Sequence, residues 1–358
     1  MSNSPLLPEF SLPLYDHRTI FARRVGARKL VYLDHNAWIE LRDLRTPRSA
    51  ACLAVCHAAV ERQKAIFPLA FPAVTEAIEI PDRATRLRHA DLLDALSNGV
   101  TFRAPPILFN IEAEQACRWL INDEEVRVSR EDIFTSLPYV ASEGAITFPA
   151  GWTVEQVAQF IAALTDEPVM RRCRTLRYMA EQRDWGLEHA PMRKRYVHEM
   201  EQTRQRRLAA EAQPKQAAFA QALLDEREAL VKHYLIPALT SVLLAEVGPR
   251  HAIKSLVELI ARKGEGGKRR VGDLFAKMPI MDQHARLFAL DAMEKARRPQ
   301  PQDFYDVEHG TAAPIYADAF VTFDKRLARL VTNAGRGAAE LVTSLVDLEC
   351  WIEQHCAG

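Results

Sequence analysis

Two short apolar runs, almost a whole chain apart, constrain the fold more than anything else in these 358 residues. Residues 30–33 (LVYL) end at Asp34, and residues 319–323 (AFVTF) end at Asp324. A continuous apolar run of four or five residues bounded by polar ones reads as a strand buried on both faces, the habit of parallel sheets. Runs at opposite termini must then meet in one sheet. A carboxylate just past a buried strand is costly to desolvate, so several gathered there call for a compensating cation.

Further elements fit the same plan. Residues 36–44 and 49–63 carry helical spacing with Thr46-Pro47 as the break, and residues 65–71 read as a second buried strand. Pro72 suits the first turn of a helix that would carry Glu76 near its beginning. Asn98-Gly99 marks a turn before a small strand at residues 100–103, and residues 340–345 form the last strand before a final helix. Between about 105 and 301 the pattern is helical without strands or a fixed repeat. Its clearest helices span residues 215–246, with a break expected near Pro237, and 281–298. The expected organisation is a lead-in at 1–28, an α/β core at 29–104 and 302–358, and an all-helical insertion at 105–301.

Composition narrows the classes. Forty-seven Lys plus Arg balance forty-seven Asp plus Glu, so attraction to nucleic acid must come from a local patch. Six cysteines lack any CxxC pair, and Cys52 and Cys56 fall one turn apart in an Ala-rich run, as core residues rather than zinc ligands. Reduced thiols and the absence of a signal-like start or a bilayer-length apolar stretch lead to the expectation of a cytoplasmic protein with no membrane partner.

Ligands of open parallel sheets lie beyond the carboxyl ends of the strands. Asp34, Glu76 and Asp324 are expected at that edge. Asp306 reaches it if it starts a helix that runs back to feed the late strand, with Asp303 and Asp318 as spare candidates. The bland alternative is that an Asp after a strand is only a helix cap or turn residue.

These residues resemble the PIN-domain nucleases, a superfamily of metal-dependent phosphodiesterases. Asp34 and Asn36 of LDHN match its first-strand D-x-N, Glu76 of PAVTEA its early helical Glu, Asp306 its later Asp, and Thr322 with Asp324 of VTFD its T-x-D. The match covers residues 29–104 and 303–355; His35 replaces a common Thr. The resemblance implies a PIN-like sheet flanked by helices and an endonuclease acting on RNA ahead of DNA. Asp34, Glu76, Asp306 and Asp324 would be catalytic and hold Mg²⁺ or Mn²⁺, oriented by Asn36 and Thr322. Hard divalent ions suit carboxylate oxygens, and without one the acids should titrate as a coupled set.

Residues 171–208 hold eleven Lys or Arg against five Asp or Glu, interleaved with Tyr178, Trp185 and Tyr196. Arg171, Arg172, Arg174, Arg193, Lys194 and Arg195 are the phosphate-contact candidates there, with a solvated helix face as the alternative. Lys325 and Arg326 would face the same sheet edge as the acids, as nucleic-acid contacts that neutralise a phosphate without binding metal. Residues 263–270 form a basic, Gly-containing loop, and His284 and His309 are either phosphate contacts or packed histidines. A catalytically silent module that binds nucleic acid or protein is the competing class. An aspartyl phosphatase is disfavoured because DHN replaces its D-x-D. A homo-oligomer and a regulatory protein partner stay open.

Overall fold

The computed structural model describes residues 6–13, 24–122, 124–125, 128–137, 145–148, 150–165, 175–182, 190–209, 215–247, 274–294 and 298–356. The first part of the chain runs β1 (Phe10–Pro13), β2 (Lys29–Leu33), α1 (His35–Asp43), α2 (Pro47–Glu61), β3 (Ala65–Ile66), α3 (Phe71–Glu79), α4 (Arg83–Ser97) and β4 (Val100–Phe102). The middle comprises α5 (Pro105–Asn122), α6 (Arg130–Ile133), β5 (Phe134–Ser136), β6 (Ala145–Phe148), α7 (Val154–Thr165), α8 (Thr175–Gln182), α9 (Ala190–Ala209), α10 (Lys215–Leu230), α11 (Ile236–Val247) and α12 (Pro279–Ala292). The last part is α13 (Pro301–Tyr316), β7 (Ala319–Val321), α14 (Lys325–Ala334), β8 (Glu340–Val342) and α15 (Leu345–Cys356).

The two terminal runs pair as expected. β2 and β7 are parallel neighbours in register Val31–Ala319, Tyr32–Phe320 and Leu33–Val321, at the centre of a four-stranded parallel sheet ordered β3-β2-β7-β8. Alternation along the strands divides the core in two. Leu30, Tyr32 and Phe320 pack with residues of α5 and α12–α14, whereas Val31, Leu33, Ala319 and Val321 pack with residues of α1–α4 and α15. Tyr32 stacks on Phe320 with centroids 5.7 Å apart and meets Phe102 edge-on at 5.8 Å. The chain is therefore an α/β protein with a parallel sheet covered by helices on both faces.

Several helix ends follow local chemistry. Thr46 caps α2 with Pro47 in its first turn. Asn98 stops α4 in the left-handed region at φ 50°, and Gly99 continues the turn at φ 72°. Cys52 and Cys56 are buried core residues, and no disulfide joins the described cysteines.

Three expectations are corrected, and a fourth takes a particular form. The second strand is only Ala65–Ile66; Leu69 makes one parallel bridge to Thr101, and Phe71 already belongs to α3. The residue 100–103 strand sits in its own antiparallel pair, with β4 against β5, so it adds no strand to the main sheet. The middle is not all-helical, because it contains β5 and β6, and β6 pairs antiparallel with β1. The lead-in and the middle are thereby joined through residues 10–13. The long helix is interrupted just ahead of Pro237, as expected, by a change of helical pitch and not by a gap. Residues Val231–Leu235 form a π turn in which Ile236 N–H reaches the Val231 carbonyl, so the ladder widens just before the residue that lacks an N–H.

Candidate active site

Asp34 leaves β2 and caps α1: its Oδ1 accepts from Ala37 N at 2.8 Å, and its backbone N–H donates to the Val321 carbonyl of β7 at 3.0 Å. Thr322, the residue after β7, donates its hydroxyl to Asp34 Oδ2 at 2.5 Å and accepts from Asp324 N at 3.1 Å. Asp324 in turn caps α14, accepting from Arg326 N at 2.6 Å and Leu327 N at 3.0 Å. The bland reading of both aspartates as helix caps is thus correct. The same caps aim them at one place.

That place is a cavity of about 530 Å³ at the carboxyl edge of the sheet, lined by Asp34, His35, Asn36, Glu76, Glu79, Gln302, Asp303, Asp306, His309, Asp324 and Arg326, among others. All four acids expected from opposite ends of the chain line it. Glu76 lies in the second turn of α3 rather than at its start, and Asp306 lies in the second turn of α13, behind Asp303 of the first-turn capping box. Asn36 is exposed at the mouth, and Thr322 is buried beneath Asp34.

Each acid is compensated differently. Burial pushes Asp34 from the usual 3.8 up to about 6, although Thr322 and the Ala37 amide pull the other way. Burial likewise pushes Asp306 up to about 7. Glu76 is buried too, yet its carboxyl is held below the ordinary value. His309 Nε2 donates to its Oε2 at 3.0 Å, Gln302 Nε2 donates to Oε1 at 2.5 Å, and His35 Nδ1 stands 3.5 Å from Oε2. Burial lowers His309, but Glu76, Asp34 and Asp306 more than offset it and leave the imidazole raised. Its other nitrogen, Nδ1, meets the Tyr32 hydroxyl at 2.5 Å.

Asp306 is held by Arg326, and so are three further acids. The guanidinium reaches Asp306 Oδ2 at 2.7 Å, Glu294 Oε2 at 2.9 Å, Asp303 Oδ1 at 3.3 Å and Asp291 Oδ1. Arg326 was expected as a free phosphate contact; instead it is the counter-ion of the acids. Lys325 is exposed and does not line the cavity.

Other expected residues fall elsewhere. Asp318 lies at the opposite edge, where its carboxylate binds Lys29 Nζ at 3.1 Å and Leu30 N at 2.8 Å. Arg193 makes a two-armed pair with Glu79 at 3.1 and 2.9 Å, on the cavity rim. Lys194 and Arg195 are exposed, the latter paired with Glu199. Tyr196 is buried and donates to Asp291 at 2.7 Å, so it offers no ring to a base, whereas Tyr178 is exposed. His284 packs edge-on to Phe109, and burial lowers it to about 4; the packed alternative holds. Arg171, Arg172, Arg174, Trp185 and the 263–270 loop lie outside the described residues. Glu79 and Gln302 were not foreseen, although 76 and 79 share a helix face by spacing, as do 303 and 306.

Among the described residues, no three His, Cys, Asp or Glu side chains come together as a ready metal-binding group. Carboxyl groups of Asp34, Asp306 and Asp324 nevertheless line one cavity, and oxygen donors of that kind are the ones hard divalent cations prefer. Compared with known proteins, the chain matches no family model, no curated protein and no solved structure. No described helix is long and apolar enough to cross a membrane.

Proposed function

We propose that the chain is a PIN-like, metal-dependent nuclease that hydrolyses phosphodiester bonds, RNA ahead of DNA. One observation carries the proposal: carboxylates at positions 34, 76, 306 and 324, drawn from both ends of the chain, line a single cavity beyond the strands of a parallel sheet. Among the described residues, six acids there face one arginine and two histidines. A phosphodiester, itself anionic, is repelled from such a cavity unless a cation of higher charge density joins it.

Asp34, Asp306, Asp324 and Glu76 would hold Mg²⁺ or Mn²⁺. The chemistry supplied by such an ion is a bound water of lowered pKa and neutralisation of charge building on the phosphate oxygens. The chain's own part is positional. Thr322 fixes the Asp34 carboxylate through Oδ2 and keeps Asp324 in place through its backbone N–H. Asn36, exposed at the mouth, offers an amide to substrate or to bound water. His309 holds a proton at Nε2 against Glu76 and is itself held by Tyr32, which suits a group that passes a proton to a leaving oxygen.

The test is cleavage of end-labelled RNA and single-stranded DNA in Mn²⁺ by the native chain, Asp34→Asn and Asp324→Asn, with EDTA as control. Loss of cleavage in both variants and in EDTA is expected; undiminished cleavage by either variant rejects the assignment. The competing reading, a silent binding module, draws on the Arg326 network, which already satisfies Asp303 and Asp306. It requires metal-independent binding and no cleavage by any of the three proteins.

A further inference from the structure

Four carboxylates around one guanidinium is an arrangement with a specific consequence for a cation entering the cavity. Arg326 belongs to α14, Asp303 and Asp306 to α13, and Asp291 and Glu294 to α12 and the residues just after it. Its Nε faces Glu294, Nη1 faces Asp303 and Asp306, and Nη2 faces Asp291. The side chain of Arg326 is only 15% exposed and that of Asp303 only 2%. Every nitrogen of the fork is committed, and Asp306 is the one partner expected to bind metal. Planar, always charged and weakly hydrated, a guanidinium is the cation best suited to such a buried post.

We propose that Arg326 is the resident cation of this cavity and that a divalent ion competes with it for Asp306, so that Arg326 sets the threshold of metal binding. The inference rests on the metal-dependent reading of the site. Two cations cannot share Asp306 without mutual repulsion, so binding the ion weakens the Nη1 contact with Asp306. Asp291, Glu294 and Asp303 keep the guanidinium anchored when that contact opens. It then stays beside the cavity as a positive group, available to a phosphate. The device gives a low metal affinity in the resting protein and an acid set that does not fly apart when metal is absent.

Mn²⁺ titration followed by the electron paramagnetic resonance of the free ion, without substrate, tests this on the full chain. Native protein, Arg326→Gln and Arg326→Lys are compared, with melting temperatures taken in EDTA and in Mn²⁺. The Gln variant should bind Mn²⁺ roughly tenfold or more tightly than the native chain, melt lower in EDTA and recover in Mn²⁺. The Lys variant, whose ammonium reaches fewer of the four acids, should fall between and serves if the Gln variant does not fold in EDTA. Equal Mn²⁺ affinity in the native chain and the variants overturns the competition while leaving the metal site standing. No Mn²⁺ binding by any of them overturns the competition and the metal-dependent reading together.

Discussion

Replacing Asp34 by Asn should stabilise the metal-free protein at high pH and not at low pH. Asp34 is 2% exposed and titrates near 6 rather than 3.8. A carboxyl whose folded value is raised favours folding to remain protonated, so the stability it allows is complete below the unfolded value and is lost as pH rises through the folded one. A displacement of about two units is worth about 3 kcal/mol once both states are ionised, at pH 8, and only a few tenths of that at pH 4. Asn keeps the shape and the acceptor for Ala37 N, and cannot ionise. Its amide must donate to Thr322 Oγ1 where Asp34 accepted, which costs about 1 kcal/mol at every pH. The variant should therefore be about 2 kcal/mol more stable than the native chain at pH 8 in EDTA and slightly less stable at pH 4. Urea unfolding at the two pH values, with equal slopes, measures the difference. A loss of the same size at both pH values would refute the reasoning, since Asp34 would then be an ordinary ionised cap.

Thr322→Val removes the donor to Asp34 and the acceptor for Asp324 N from a fully buried position, and should cost about 1–3 kcal/mol in urea unfolding, largely restored by Thr322→Ser. Gly337→Ala would place a methyl 2.8 Å from the Pro314 carbonyl oxygen, where backbone faces backbone and neither yields; about 1–3 kcal/mol should be lost, and an unchanged melting temperature would contradict the packing. Lys194→Ala and Arg195→Ala should each lower the salt slope of RNA binding by about 1 without altering the melting temperature, as exposed phosphate contacts do. Slopes unchanged in both would make that helix face a solvated surface.

The central pairing of the sheet and the acids at its edge were legible because each rests on a short-range rule with one outcome. An apolar run of four residues must be buried, and the polar residue that ends it must cap or turn. Asp318 misled because it enters its strand where Asp34 leaves one, and in a parallel pair that places it at the amino edge with Lys29, a strand length from Asp34. β5 and β6 were not legible: they are three and four residues long, and their partners β4 and β1 lie far away in sequence. Nothing local distinguishes such segments from helix ends. Arg326 was visible beside Asp324, but its role depends on Asp291 and Glu294, acids supplied by a helix from the middle of the chain and by the residues just after it. Only packing of α12 against α13 and α14 brings them within reach.

The four acids thus coexist by four separate means. Asp34 tends to keep a proton, Glu76 holds imidazoles, Asp306 holds a guanidinium, and Asp324 faces the amides at the start of α14. Each device is weak against a divalent ion in a different way. The proton leaves Asp34 as pH rises through about 6, so that carboxylate becomes available near neutrality. Capping amides leave the remaining lone pairs of Asp324 open to a ligand. The imidazole of His309 and the guanidinium of Arg326 are the two compensations that do not leave by themselves. Glu76 is consequently the acid least ready to take a metal, and Asp34 and Asp324, whose partners are neutral, are the most ready. If a divalent ion binds, its strongest anchors should be that pair, just past the two central strands, and Asp34→Asn should weaken Mn²⁺ binding more than Glu76→Gln does. The reverse order would mean that the imidazoles give way first and that the site is organised around α3 instead of the sheet.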